Sequence, residues 1–176
     1  MRIDPDRALE VRDRCLLLLL VFKRVVCTDY CGLQSSVSSV CFSPDGKQVA
    51  SGSWDESVKI WETSTGTCVS TLNVDSGTYG VQSISYSPAG DMIAAGCANG
   101  KIHILDTVTV AVKRSLNGHL NCIKSVTWNN DGTKLASGSL DHTVRIWSVG
   151  SAGTFESEST LRGDQRINCV AFSGKI

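Results

Sequence analysis

Short bursts of apolar residues alternate with small polar ones along most of the chain, and the bursts return at a nearly fixed distance. Val37-Ser-Ser-Val-Cys-Phe-Ser-Pro-Asp-Gly46 recurs as Val81-Gln-Ser-Ile-Ser-Tyr-Ser-Pro-Ala-Gly90 and again as Ile123-Lys-Ser-Val-Thr-Trp-Asn-Asn-Asp-Gly132. It starts a fourth time at Ile167-Asn-Cys-Val-Ala-Phe-Ser173, so the steps are 44, 42 and 44 residues. The second half of each unit repeats as well. Ser51-Gly-Ser-Trp-Asp-Glu-Ser-Val-Lys-Ile-Trp61 matches Ala95-Gly-Cys-Ala-Asn-Gly-Lys-Ile-His-Ile-Leu105 and Ser137-Gly-Ser-Leu-Asp-His-Thr-Val-Arg-Ile-Trp147. Self-similarity at this period identifies stacked copies of one supersecondary unit.

Within a unit the apolar period is two, which places successive side chains on opposite faces of a strand. Val37, Val40 and Phe42 open a first strand, Val49 to Ser53 forms a second, and Val58-Lys-Ile-Trp61 a third. A fourth, weaker strand ends at Leu72, Leu116 and Leu161. The joints carry turn chemistry. Pro44-Asp45-Gly46 offers a glycine for positive φ, Asp55-x-Ser57 and Asp141-x-Thr143 read as Asx turns, and Asn99-Gly100 is a strong two-residue hairpin signal. No helical period appears between 37 and 173, so the expected class is all-β, built from four-stranded antiparallel units.

The Gly118-His119 pair, the Ser137-Gly138-Ser139-x-Asp141 turn and the strand ending Ile146-Trp147 resemble the signature of WD40-repeat β-propellers. The resemblance covers roughly residues 22–173. It implies three full blades at 37–72, 81–116 and 123–161, a partial repeat at 167–176 with a lone first strand at 167–172, and a lone outer strand at 22–30. Residues 1–21 form a segment outside the repeat, and 22–176 the repeat region. The resemblance further implies a buried hydrogen-bond chain through a histidine, the turn aspartate, a second-strand serine and the Trp indole. The third repeat has all four members: His119, Asp141, Ser137 (with Ser139 the less favoured partner) and Trp147. The first keeps Ser51, Asp55 and Trp61 but has Leu33 in the histidine position, while the second has Asn99, Leu105 and no histidine. On that basis the third blade is expected to be the most protected and the second to open first. The chemistry agrees, because a buried carboxylate is costly unless its lone pairs are filled, so His119 and Asp141 read as architecture and not as an acid–base couple.

Charge is balanced, with 17 Lys and Arg against 17 Asp and Glu, and the part beyond Ser36 is close to balanced too. Sequence-independent phosphate binding needs a cationic surplus, so no nucleic-acid partner is expected. Of eight cysteines, Cys41, Cys97, Cys122 and Cys169 stand singly in apolar runs, and only Cys27 and Cys31 lie close together. Neither disulfides nor a metal site is read from this spacing. No Asn-x-Ser/Thr sequon occurs. These features point to a reducing compartment, the cytoplasm, with the nucleus as the alternative. The apolar run Cys15–Phe22 is too short to span a bilayer, and the balanced charges before it do not make a signal peptide, so no membrane association is expected.

No G-x-S-x-G elbow, H-E-x-x-H, P-loop or dinucleotide fingerprint is present, and His103, His119 and His142 fall at separate points, so no enzyme and no cofactor are expected. Arg162-Gly163-Asp164 occupies the place of Gly118-His119 and reads as an altered turn, not an adhesion signal. The propeller resemblance puts the Ser-Gly-Ser-x-Asp turns on the face where peptides dock. It makes Trp54, Glu56, Ala98, Leu140, His142 and Leu120 the candidate protein-binding residues. Trp54 either anchors a partner or packs on the neighbouring blade. The expected function is a scaffold for protein or peptide partners. One rival is a substrate-recognition subunit of a larger complex such as a ubiquitin ligase, against which the basic residue expected three positions after each Trp is replaced by Ser64, Val108 and Gly150. The other is a truncated isoform or fragment without function of its own. Three blades fall short of a usual seven-membered ring, which suggests a fragment, closure through further blades of another chain, or a small ring.

Overall fold

The computed structural model describes residues 35–150 and 153–173. The N-terminal segment, the proposed outer strand at 22–30, Cys27, Cys31 and Leu33 lie outside the described residues. Twelve strands are present among those described, and no helix. They are β1 (Val37–Phe42), β2 (Gln48–Ser53), β3 (Ser57–Glu62), β4 (Cys68–Asn73), β5 (Val81–Tyr86), β6 (Met92–Cys97), β7 (Ile102–Asp106), β8 (Ala111–Leu116), β9 (Ile123–Trp128), β10 (Lys134–Ser139), β11 (Thr143–Val149) and β12 (Phe155–Arg162). They form three separate four-stranded sheets, each in consecutive order and antiparallel. The all-β, four-stranded expectation is met, and the three sheets do not close into a ring.

The glycine turns work as their residue types dictate: Gly46, Gly90 and Gly132, which end the first hairpin of each blade, have φ of 72°, 77° and 74°. A different constraint fixes the glycine inside each Ser-Gly-Ser-like run. A Cβ on Gly52 would stand 2.7 Å from Val81 Cγ1, one on Gly96 2.7 Å from Ile123 Cγ2, and one on Gly138 2.6 Å from Ile167 Cγ2. Ile84, Val126 and Val170 close the same three gaps from the other side. Each blade therefore seats two β-branched or aliphatic side chains of the next blade directly on its backbone. A serine hydroxyl repeats alongside. Ser39, Ser83 and Ser125 Oγ accept the backbone N–H of Ile84, Val126 and Val170, each at 3.1 Å. Blade stacking is thus one motif used three times.

The fourth repeat departs from expectation. Residues 167–172 dock by that motif yet form no strand, because the partner that β2 supplies to β1 has no counterpart among the described residues. The core runs through two clusters meeting at the middle sheet. One holds Val81, Ile84, Ile93, Ala95 and Cys97 with Ala50, Val58 and Ile60; the other holds Ala94, Ile102 and Ile104 with Ile123, Val126 and Leu135. The middle sheet is covered on both flanks, and all six residues of β6 are buried. In contrast β12 is exposed along nearly its whole length. Burial therefore points against the expectation that the second blade is the weakest. No helix among the described residues is long and apolar enough to cross a membrane.

Candidate functional site

The residues selected for docking fall where the turn between the second and third strands of each blade meets the loop leading into a blade, while Ser51, Trp61, Ser137 and Trp147 lie within the strands β2, β3, β10 and β11. The turns are built alike. The side-chain oxygen Oδ1 of Asp55, Asn99 and Asp141 accepts the N–H two residues on, from Ser57 (3.0 Å), Lys101 (3.1 Å) and Thr143 (2.9 Å). The residue between must turn left-handed. Gly100 does so freely, whereas Glu56 (φ 71°) and His142 (φ 68°) do so against the usual steric preference. The preceding residue then reaches back to the start of the inner strand: Trp54, Ala98 and Leu140 N–H donate to the carbonyls of Ser36, Gly80 and Cys122.

In the third blade the four named residues form one continuous chain. Trp147 Nε1–H donates to Ser137 Oγ at 2.9 Å, Ser137 Oγ lies 2.8 Å from His119 Nε2, and His119 Nδ1 lies 2.9 Å from Asp141 Oδ2. A carboxylate only accepts, so Nδ1 carries the proton, and Nε2 then accepts from the serine hydroxyl. Ser139 turns elsewhere, donating to the Asn121 carbonyl. Burial pushes the His119 pKa below its ordinary value, against the opposing pull of Asp141, so the neutral ring fits the geometry. Burial also works to raise the Asp141 pKa. Bonds from Thr143 Oγ1 (2.6 Å), Leu120 N–H (2.9 Å) and His119 outweigh it and hold the carboxyl well below the usual range. An ionised, fully solvated-by-protein carboxylate next to a neutral imidazole with no open face is a clamp: it ties the lead-in loop to the turn. In the first blade Trp61 Nε1–H donates to Ser51 Oγ at 2.8 Å, and Asp55 holds the Ser57 hydroxyl at 2.6 Å.

The second blade replaces the clamp instead of lacking one. His103, on β7 where the neighbouring blades carry Lys59 and Arg145, is buried. Its Nε2–H donates to the Asp75 carbonyl at 2.8 Å, and its Nδ1 lies 2.8 Å from Ser115 Oγ. Asn99 Nδ2 donates to the same carbonyl at 2.8 Å, and Lys101 Nζ meets the Asp75 carboxylate at 2.5 Å. The loop Val74–Gly80 is thereby pinned by a strand histidine and a turn amide.

Of the residues selected for docking, Trp54 (45% exposed) and Leu120 (92%) present large apolar surface to solvent. Glu56 and His142 are exposed, whereas Ala98 and Leu140 are half-buried. Trp54 meets the neighbouring blade's lead-in loop, its ring perpendicular to that of Tyr79 with centroids 6.5 Å apart. Tyr79 (66% exposed) is the residue that the sequence reading missed. An aromatic between Gly77 and Gly80, in a loop longer than its counterparts, was the available signal. Gly80 fixes the pair: a Cβ there would fall 2.4 Å from the Trp54 Cα. At Arg162-Gly163-Asp164 the Gly163 N–H donates to the His142 carbonyl at 2.8 Å as Val74 does to Glu56 at 2.9 Å, so this stretch leaves β12 as the chain leaves β4 in the first blade. Among the described residues no cluster of His, Cys, Asp and Glu has the arrangement of a metal site. Burial pushes the Cys97 thiol up to about 12, which leaves it protonated and inert.

The family model described as "WD domain, G-beta repeat" matches residues 25–62, 66–106 and 111–148. Among curated proteins, the ribosome biogenesis protein WDR12 homolog of Drosophila virilis is 31% identical over 142 residues, covering 77% of this chain and 26% of the relative. That of Chlamydomonas reinhardtii is 31% identical over 148 residues, covering 84% and 28%. The chain thus spans about a quarter of the length of these relatives. Among solved structures, the WD40 repeats of RRP9 superpose with a TM-score of 0.69 at 22% identity, covering 77% of this chain and 41% of that one. A chain of the mitotic checkpoint complex superposes with a TM-score of 0.71 at 25% identity, covering 80% and 42%.

Proposed function

The chain belongs to the WD40-repeat family, and on that premise we propose that it is a non-catalytic protein-binding module acting in ribosome assembly. The observation that carries the binding role is the paired exposure of Trp54 and Tyr79 on the turn rim. Nothing in the blade's own folding requires either ring to face solvent, and aromatic anchors dominate protein interfaces. The polar groups of His119 and Asp141 are consumed by the clamp, which supports a binding role over a catalytic one. The assembly context rests on the resemblance to ribosome biogenesis proteins. It favours a nuclear, nucleolar site of action over the cytoplasmic one expected from cysteine usage. A ligase-receptor role draws no support from those relatives.

Gradient sedimentation of the tagged full chain from cell extract tests this reading. The chain should travel with precursor-ribosome particles, and Trp54→Ala and Tyr79→Ala should each shift it toward free protein while leaving its far-ultraviolet circular dichroism unchanged. A wild-type chain that stays at the top of the gradient would overturn it. Repeating the run after ribonuclease treatment separates attachment through proteins from attachment through RNA.

A further inference from the structure

We propose that Trp54 and Tyr79, with Glu56 beside them, receive a cationic side chain, arginine foremost, from an extended basic segment of the partner protein; this rests on the binding role given to the rim above. The two rings stand at 76° to one another, each with a large part of its surface in water. An aromatic face attracts a cation through its quadrupole, and the planar guanidinium also stacks on indole.

The backbone holds this geometry before any ligand arrives. Trp54 N–H is bonded to the Ser36 carbonyl, Gly80 presses on the Trp54 backbone, and Val74 N–H donates to the Glu56 carbonyl at 2.9 Å. Turn and loop are therefore one unit, and little ordering is needed on binding. Glu56 follows Trp54 by two residues and is exposed, which sets a negative charge on the turn. Asp75, in the Tyr79 loop, is paired with Lys101 at 2.5 Å, and Lys124 Nζ donates to the Gln82 amide Oε1 at 2.9 Å. The Glu56 carboxylate attracts a cation and repels a phosphate backbone, so a base-stacking RNA site is disfavoured here.

Trp54 is the exposed member of the four tryptophans, since Trp61, Trp128 and Trp147 are buried. Iodide quenching of the intact chain therefore reports on this position. The probes are the hexapeptide Gly-Arg-Gly-Gly-Arg-Gly, its lysine and glutamine counterparts, and a ten-nucleotide oligouridylate. The arginine peptide should protect Trp54 from quenching in a saturable, salt-sensitive way. Lysine should bind several-fold more weakly and glutamine not measurably. Trp54→Phe, which keeps a ring and the fold, should retain part of the affinity by calorimetry, Tyr79→Ala should lose tenfold or more, and Glu56→Gln should lose severalfold. Equal binding of the glutamine peptide, protection by oligouridylate instead of peptide, or no protection by any probe would each overturn the cation assignment. Should the chain still travel with precursor particles in a Trp54-dependent manner, the binding role stands and this inference alone fails.

Discussion

Replacing His119 with leucine tests the clamp with little change of volume. The substitution removes the Nδ1–H bond to Asp141, which has an ionised acceptor and is worth about 1.5–3 kcal/mol. It also leaves the Ser137 hydroxyl without its acceptor, at a cost of roughly 1 kcal/mol. Asp141 keeps donors from Leu120 N–H, Thr143 N–H and Thr143 Oγ1, so the full penalty of an orphaned carboxylate does not fall due. The net loss should be about 2.5–4 kcal/mol at pH 7.5, read from the urea midpoint. The pH dependence supplies an independent check. Because the folded pKa of His119 lies below its ordinary 6.5, the unfolded chain takes up this proton first as pH falls. The histidine's contribution is complete above about pH 6.5 and declines as pH drops from there toward the folded value. The Asp141 carboxyl, held low, contributes above the ordinary carboxylate range and is lost only in stronger acid, so the interval from pH 7.5 to 5.5 isolates the imidazole. The gap between wild type and His119→Leu should narrow across that interval, with the other two histidines cancelling in the comparison. A gap that is constant from pH 7.5 to 5.5, or smaller than about 0.5 kcal/mol throughout, would refute the neutral-clamp argument.

Native-state hydrogen exchange should find the slowest amides in β6 and β7 of the middle blade, and faster exchange in β10 and β11; the reverse order would show that the His119 clamp outweighs two-sided burial. Gly96→Ala should destabilise by about 2–3 kcal/mol in urea melts, because its Cβ would meet Ile123 and Val126 at 2.7 and 2.8 Å; a cost within about 0.5 kcal/mol would mean that the blades can slide apart at no expense. Trp147→Ala should cost about 3–5 kcal/mol of stability through lost packing and the Ser137 bond, whereas Trp54→Ala should weaken partner capture and leave the melting midpoint nearly unmoved. Equal unfolding by both would remove Trp54 from the exposed rim.

The strands and their turns could be read from sequence because each depends on local chemistry: period-two apolar runs, Asx side chains, and glycines at positive φ. The third-blade clamp was legible for the same reason, since its four members recur at fixed places in a known pattern. What escaped depends on position in the array. His103 reads as an ordinary strand residue, and its acceptor, the Asp75 backbone carbonyl, has no residue signature at all. Burial from both flanks, which weighs against an early opening of the second blade, was not legible because it belongs to the middle sheet by its place and not by its composition. Tyr79 escaped because its role follows from Gly80 closing on Trp54, a contact between residues 26 positions apart in the chain.

The stacking contact has a consequence for how such a chain changes length. Gly52 receives Val81 and Ile84 as Gly96 receives Ile123 and Val126, so the socket of one blade accepts the plug of any other. A chain from which residues 81–122 had been lost would bring Ile123 and Val126 onto Gly52, and Ser39 Oγ onto the Val126 amide, without a new contact having to be invented. What the stack asks of each unit is one glycine, one serine and two aliphatic side chains, so the number of units is not set by the contact itself.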